Sequence, residues 1–121
     1  MSLRAIVSGQ FNLVDENSNQ NFLSFDLATA FGTVSNIEEQ TFQERQLVLG
    51  DGVVSLDPGG VGTVKGMFLS VEAGGSVTVK HDSNTNGIAV SGSMLIFGQL
   101  SSITIETIAT QPIKVKYLIF E

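Results

Sequence analysis

Residues 102–120 constrain the fold of this chain more than any other stretch. Ile103 and Ile105 alternate with Thr104 and Glu106; after a break at Gln111-Pro112, Ile113, Val115, Tyr117 and Ile119 form an odd-numbered apolar row with Lys114 and Lys116 between them. A repeat of two is the mark of a half-buried strand. β-Branched residues suit a pleated surface, and the Gln-Pro step separates two runs. The fold class this stretch announces is all-β.

The rest of the chain repeats the pattern. Leu3, Ala5, Val7, Phe11 and Leu13 occupy odd positions with Gly9 in the gap, which reads as one long strand kinked at the glycine. A polar Asx-rich loop over 15–21 leads to a short strand over 22–27, with Leu23, Phe25 and Leu27 on one face. Residues 28–38 show no period although Phe31, Val34 and Ile37 lie among them; a structureless connection of that length exceeds the usual ~4–6 residues. It is expected either to cap the core or to meet a partner. Over 40–49 the apolar residues change parity between Phe42 and Leu47, so a bulge near Arg45 is expected.

A short piece over 53–56 precedes Asp57-Pro58-Gly59-Gly60, which suits a type II turn. Met67, Leu69 and Val71 must share a buried side with Val77 and Val79. A three-residue Ala73-Gly74-Gly75 hairpin does this by setting Val71 against Val77 and Leu69 against Val79. Asp82 to Gly87 turns the chain again, and Met94-Leu95-Ile96-Phe97, apolar on both faces, reads as a strand covered on both sides. The sum is about eight antiparallel strands in a two-sheet β-sandwich, one domain over 1–121, with jelly-roll topology preferred. In that topology the last two strands lie centrally in opposite sheets.

Composition narrows the function. The 121 residues include no cysteine, so disulfides and thiolate metal sites are excluded. Six dispersed cations against twelve carboxylates give a net charge of −6, which lacks the basic stripe a nucleic-acid partner needs. No run approaches the ~18–20 apolar residues of a membrane helix, and the first residues lack the apolar core of a secretory signal, so neither a membrane partner nor secretion is expected.

Few residues could carry chemistry. His81 is the only histidine; without cysteine or a second imidazole it makes no ordinary zinc site, and no nucleophile elbow accompanies it. Asp82, Asn84 and Asn86 match the first half of a calcium loop, yet the twelfth position is Ser93 rather than a bidentate carboxylate. With no tryptophan and one tyrosine, the stacking platforms of sugar-processing sites are missing. The expectation is a non-enzyme without cofactor. Candidate contacts are Phe31, Val34 and Ile37, Phe68 on the face opposite Met67 and Leu69, and Leu118 and Phe120, which make the final strand apolar on both faces.

The succession Gly-Ser-Met-Leu-Ile-Phe-Gly, Ile-Thr-Ile-Glu and Ile-Lys-Val-Lys-Tyr-Leu-Ile-Phe in an acidic, cysteine-free sandwich resembles the small single jelly-roll virion proteins of tailed bacteriophages. The likeness covers residues 65–121 best. It implies a capsid cement, decoration or head-fibre role: a homotrimer on the phage head surface that bridges subunits of the major capsid protein. The alternative of the same architecture is a carbohydrate- or receptor-binding module, such as a tail-fibre or adhesin tip.

Overall fold

The computed structural model describes residues 2–56, 64–82 and 86–121. The chain divides into two compact units, Met1–Glu38 and Glu39–Glu121. Both are built of antiparallel strands.

In the first unit β1 (Leu3–Ile6) pairs with β4 (Thr33–Ile37), and β2 (Gln10–Val14) pairs with β3 (Asn21–Asp26). The single kinked strand expected over 3–13 is therefore two strands in two sheets. Gly9, at φ +102°, takes a conformation that side chains disfavour, and there the chain leaves one ladder for the other. The polar loop after β2 is an Asx turn, as its composition suggests: the Asp15 carboxylate accepts from the Asn17 amide at 2.8 Å.

The segment 28–38 is not structureless. Asp26 caps a one-turn helix, α1 (Leu27–Phe31), by accepting from the Ala28 amide and the Thr29 hydroxyl. β4 follows, and its alternation is hidden because Asn36 sits in the left-handed region at φ 57°.

The second unit contains two four-stranded sheets. Its strands are β5 (Gln40–Leu47), β6 (Val54–Ser55), β7 (Val64–Val71), β8 (Val77–His81), β9 (Ile88–Val90), β10 (Ser93–Leu100), β11 (Ile103–Glu106) and β12 (Ile113–Phe120). One sheet has the order β10-β7-β12-β5 and the other β6-β11-β8-β9. The two-sheet arrangement matches expectation, but its membership differs. The minor piece over 53–56 supplies a two-residue strand, β6, to one sheet, whereas among the described residues β1 to β4 pair only with one another. The turn expected at 57–60 lies outside the described residues.

The inward side chains of both sheets form one core, with Met67, Leu69, Val79 and Val115 wholly buried among Leu47, Val77, Ile103, Ile105, Ile113, Tyr117 and Ile119. As anticipated, β11 and β12 are central strands of opposite sheets. The Ala73-Gly74-Gly75 hairpin does not form. β7 and β8 belong to different sheets, so this segment arches over the end of the sandwich. The Glu72 amide donates to the Lys114 carbonyl, the Glu72 carboxylate accepts from the Lys114 amide at 2.9 Å, and Gly74 turns the chain at φ +85°. A Cβ on Gly75 would come within 2.8 Å of Ile113. The hairpin of the β6-β11-β8-β9 sheet is instead β8–β9, with Val79 opposite Ile88 and Val77 opposite Val90.

Two further expectations are corrected. β5 pairs with β12 in unbroken register from Leu47–Ile113 to Gln40–Phe120, so there is no bulge at Arg45. Leu47 points into the core and Phe42 out of it. β10 is not covered on both faces: it is an edge strand, and Met94 to Phe97 are half-buried.

Candidate functional site

The outer face of the β10-β7-β12-β5 sheet is ordered in rows by strand register. Leu95 lies opposite Phe68, Phe68 opposite Leu118, and Leu118 opposite Phe42, so an apolar row crosses all four strands. Phe42 is 66% exposed and Phe68 40%, whereas Met67 and Leu69, the inner-face neighbours of Phe68, are wholly buried. On one side runs the row Phe97, Gly66, Phe120 and Gln40. Phe120 meets Phe97 edge-on at 5.9 Å between centroids, and its ring occupies the space a Cβ on Gly66 would need. On the other side runs Ser93, Ser70, Lys116 and Glu44, where a recess of about 270 Å³ is lined by Glu44, Ser70, Glu72, Lys114 and Lys116. An apolar band with a polar row along one side is a composition that suits a protein–protein contact.

Three of the six candidate contacts meet on this face. Phe68 and Leu118 are direct cross-strand neighbours, and Phe120 lies in the adjoining row. Phe120 is buried, at 4% exposure, so it supports the face rather than being presented by it. Phe31, Val34 and Ile37 belong to α1 and β4, and of these Ile37 is buried. The sequence pattern does not single out Phe42 and Leu95, since it puts Phe42 in a bulged strand and Leu95 in a covered one; only the pairing of β5 and β10 with their neighbours aligns them with Phe68 and Leu118.

A second cluster surrounds Asp82, which follows β8 in the left-handed region at φ 57°. Its Oδ2 lies 2.8 Å from His81 Nδ1, while Oδ1 accepts from the Ser101 amide at 2.6 Å and the Ser101 hydroxyl at 2.7 Å. These hydrogen bonds, His81 first, hold the Asp82 carboxyl down at about 2. A nucleophilic serine must donate to an imidazole that a carboxylate orients. Here Ser101 donates to the carboxylate itself, so the cluster pins the β8–β9 turn to the start of β11. His81 lies opposite Ile103, not opposite Met67 as the rejected hairpin required. Of the calcium-loop residues, both Asp82 oxygens are engaged in this pin, and Asn84 lies outside the described residues. Among the described residues no group of three or more His, Asp and Glu side chains could hold a metal ion.

Tyr117 reaches from the core to the sheet edge, donating to Gln43 Oε1 at 2.8 Å. Burial pushes its hydroxyl above the usual phenolic range. No family model, curated protein or solved structure matches the chain.

Proposed function

We propose that this chain is a non-enzymatic structural module whose work is done by surfaces rather than by a reaction centre, and that it serves as a decoration or cement protein on a phage head. The observation that carries the reading is the apolar row Leu95, Phe68, Leu118 and Phe42 on the outside of a four-stranded sheet. A solvated sheet face normally carries polar residues there.

The strand order supports the architecture assigned to that role. Counting the eight strands of Glu39–Glu121 from β5, the sheets run 1-8-3-6 and 2-7-4-5, an order that supports the jelly-roll reading. This reading uses β6 as the second strand and places the true hairpin between the fourth and fifth.

The test is sedimentation of the purified chain with emptied phage heads. Saturable co-sedimentation is expected. Absence of head binding together with selective capture on a glycan array would overturn the reading in favour of a receptor-binding module.

A further inference from the structure

The outer face of the β10-β7-β12-β5 sheet is complementary to itself, and we infer that its occupant is a second copy of this chain, placed face to face about a two-fold axis parallel to the strands between β7 and β12. The inference rests on reading this face as an assembly surface. Read across the sheet, the apolar row is Leu95, Phe68, Leu118, Phe42. Reversed, as the axis requires, it reads Phe, Leu, Phe, Leu. Every phenylalanine then faces a leucine: Phe68 meets Leu118 of the second copy, and Leu95 meets its Phe42. Large and small side chains alternate across the contact, which is how facing layers interdigitate.

The polar row obeys the same operation. Ser93, Ser70, Lys116 and Glu44 face Glu44, Lys116, Ser70 and Ser93, so each charge meets a serine and no like charges are opposed. In the third row Phe97 faces Gln40 and Gly66 faces Phe120, whose ring is already packed over Gly66 of its own copy. A contact in which residue i meets j and j meets i is the isologous kind that closes at two copies. It differs from the three-fold ring that the family likeness suggests.

Over the five to six rows that face each other across the axis, strands ~4.8 Å apart at ~3.4 Å per residue present roughly 350 Å² per copy. The pair therefore buries roughly 700 Å² in total, the size of a weak and transient contact, and a reversible, concentration-dependent dimer follows.

The experiment uses the full chain. Sedimentation equilibrium from about 1 μM to about 1 mM, a range that brackets weak complexes, should show a rise from the 12.8 kDa monomer toward twice that mass. Phe42→Asp, at an exposed edge position that leaves the core intact, should abolish the rise while retaining the wild-type melting profile. Because the chain has no cysteine, single-cysteine variants report geometry directly. A short bis-maleimide should join Phe42→Cys to Leu95→Cys in a mixture and should not join Phe42→Cys to itself. A constant monomer mass, undiminished association of Phe42→Asp, or efficient Phe42→Cys self-linking would each overturn the inference. A monomer that still co-sediments with heads would sink this inference and leave the functional reading standing; a dimer that ignores them would do the reverse.

Discussion

Met1–Glu38 and Glu39–Glu121 use the same local pattern, alternating apolar and polar residues, and reach opposite outcomes. In the second unit alternation builds two facing sheets and a continuous core. In the first it builds two-stranded ladders: every residue of β2 and β3 is exposed, including Phe11, Leu13, Leu23 and Phe25, and Ile37 is its only buried apolar side chain among the described residues. Phe11 and Phe25 touch across the β2–β3 ladder, with centroids 6.3 Å apart, but cross-strand pairs contribute only ~0.2–1 kcal/mol each. The lesson is that strand periodicity fixes which side chains share a face. It does not by itself supply the second layer that makes a face a core.

The sharpest way to break this comparison is a matched truncation. Leu69→Ala removes a wholly buried side chain from the sandwich and should destabilise it by about 2–5 kcal/mol in urea unfolding. Leu13→Ala, in a half-exposed ladder, should cost less than about 1 kcal/mol in the same assay. Equal losses would mean that both units share one cooperative core.

A smaller effect is expected at Gly66→Ala. Its Cβ would overlap the Phe120 ring and lie 2.7 Å from the Ile96 carbonyl oxygen, so both the ring and the β10–β7 ladder must give way. The expected loss is about 1–3 kcal/mol, read as a lowered melting temperature. A neutral result would show that Phe120 is not held on the outer face as described.

The smallest effect concerns the loops, where the units again differ. Asp15 accepts from amides within its own turn, whereas Asp82 reaches Ser101, nineteen residues away. Asp82 is held at about 2, below the 3.8 of a free aspartate. Its contribution is therefore present above about pH 4 and lost as pH falls through about 2. Asp82→Asn should flatten the decline in melting temperature between about pH 4 and about pH 2. An unchanged acid limb would show that the Asp82 pin does not hold the native state.

Much of the architecture was legible because burial writes itself into parity. The all-β class and the two-sheet arrangement follow from which residues alternate, whereas the placement of β11 and β12 in opposite sheets follows only once a jelly-roll order is assumed for that number of strands. Phe68 could be assigned to the outside for the same reason, since Met67 and Leu69 flank it on the inner row. The candidate face was only half visible: Phe68 and Leu118 could be named, but their alignment with Phe42 and Leu95 depends on pairings between β5, β12, β7 and β10 that are distant in sequence.

What the sequence determined on its own is which side of each strand is apolar, because a period of two admits one answer. What only the tertiary structure decided is which strand lies beside which. Val71 and Val77 show why: inward-facing residues have the same parity whether their strands pair edge to edge or stack across the core. The choice was made by contacts that no local pattern encodes, among them the Glu72–Lys114 hydrogen bonds and the close approach of Gly75 to Ile113 that carry β7 over to β8 in the opposite sheet.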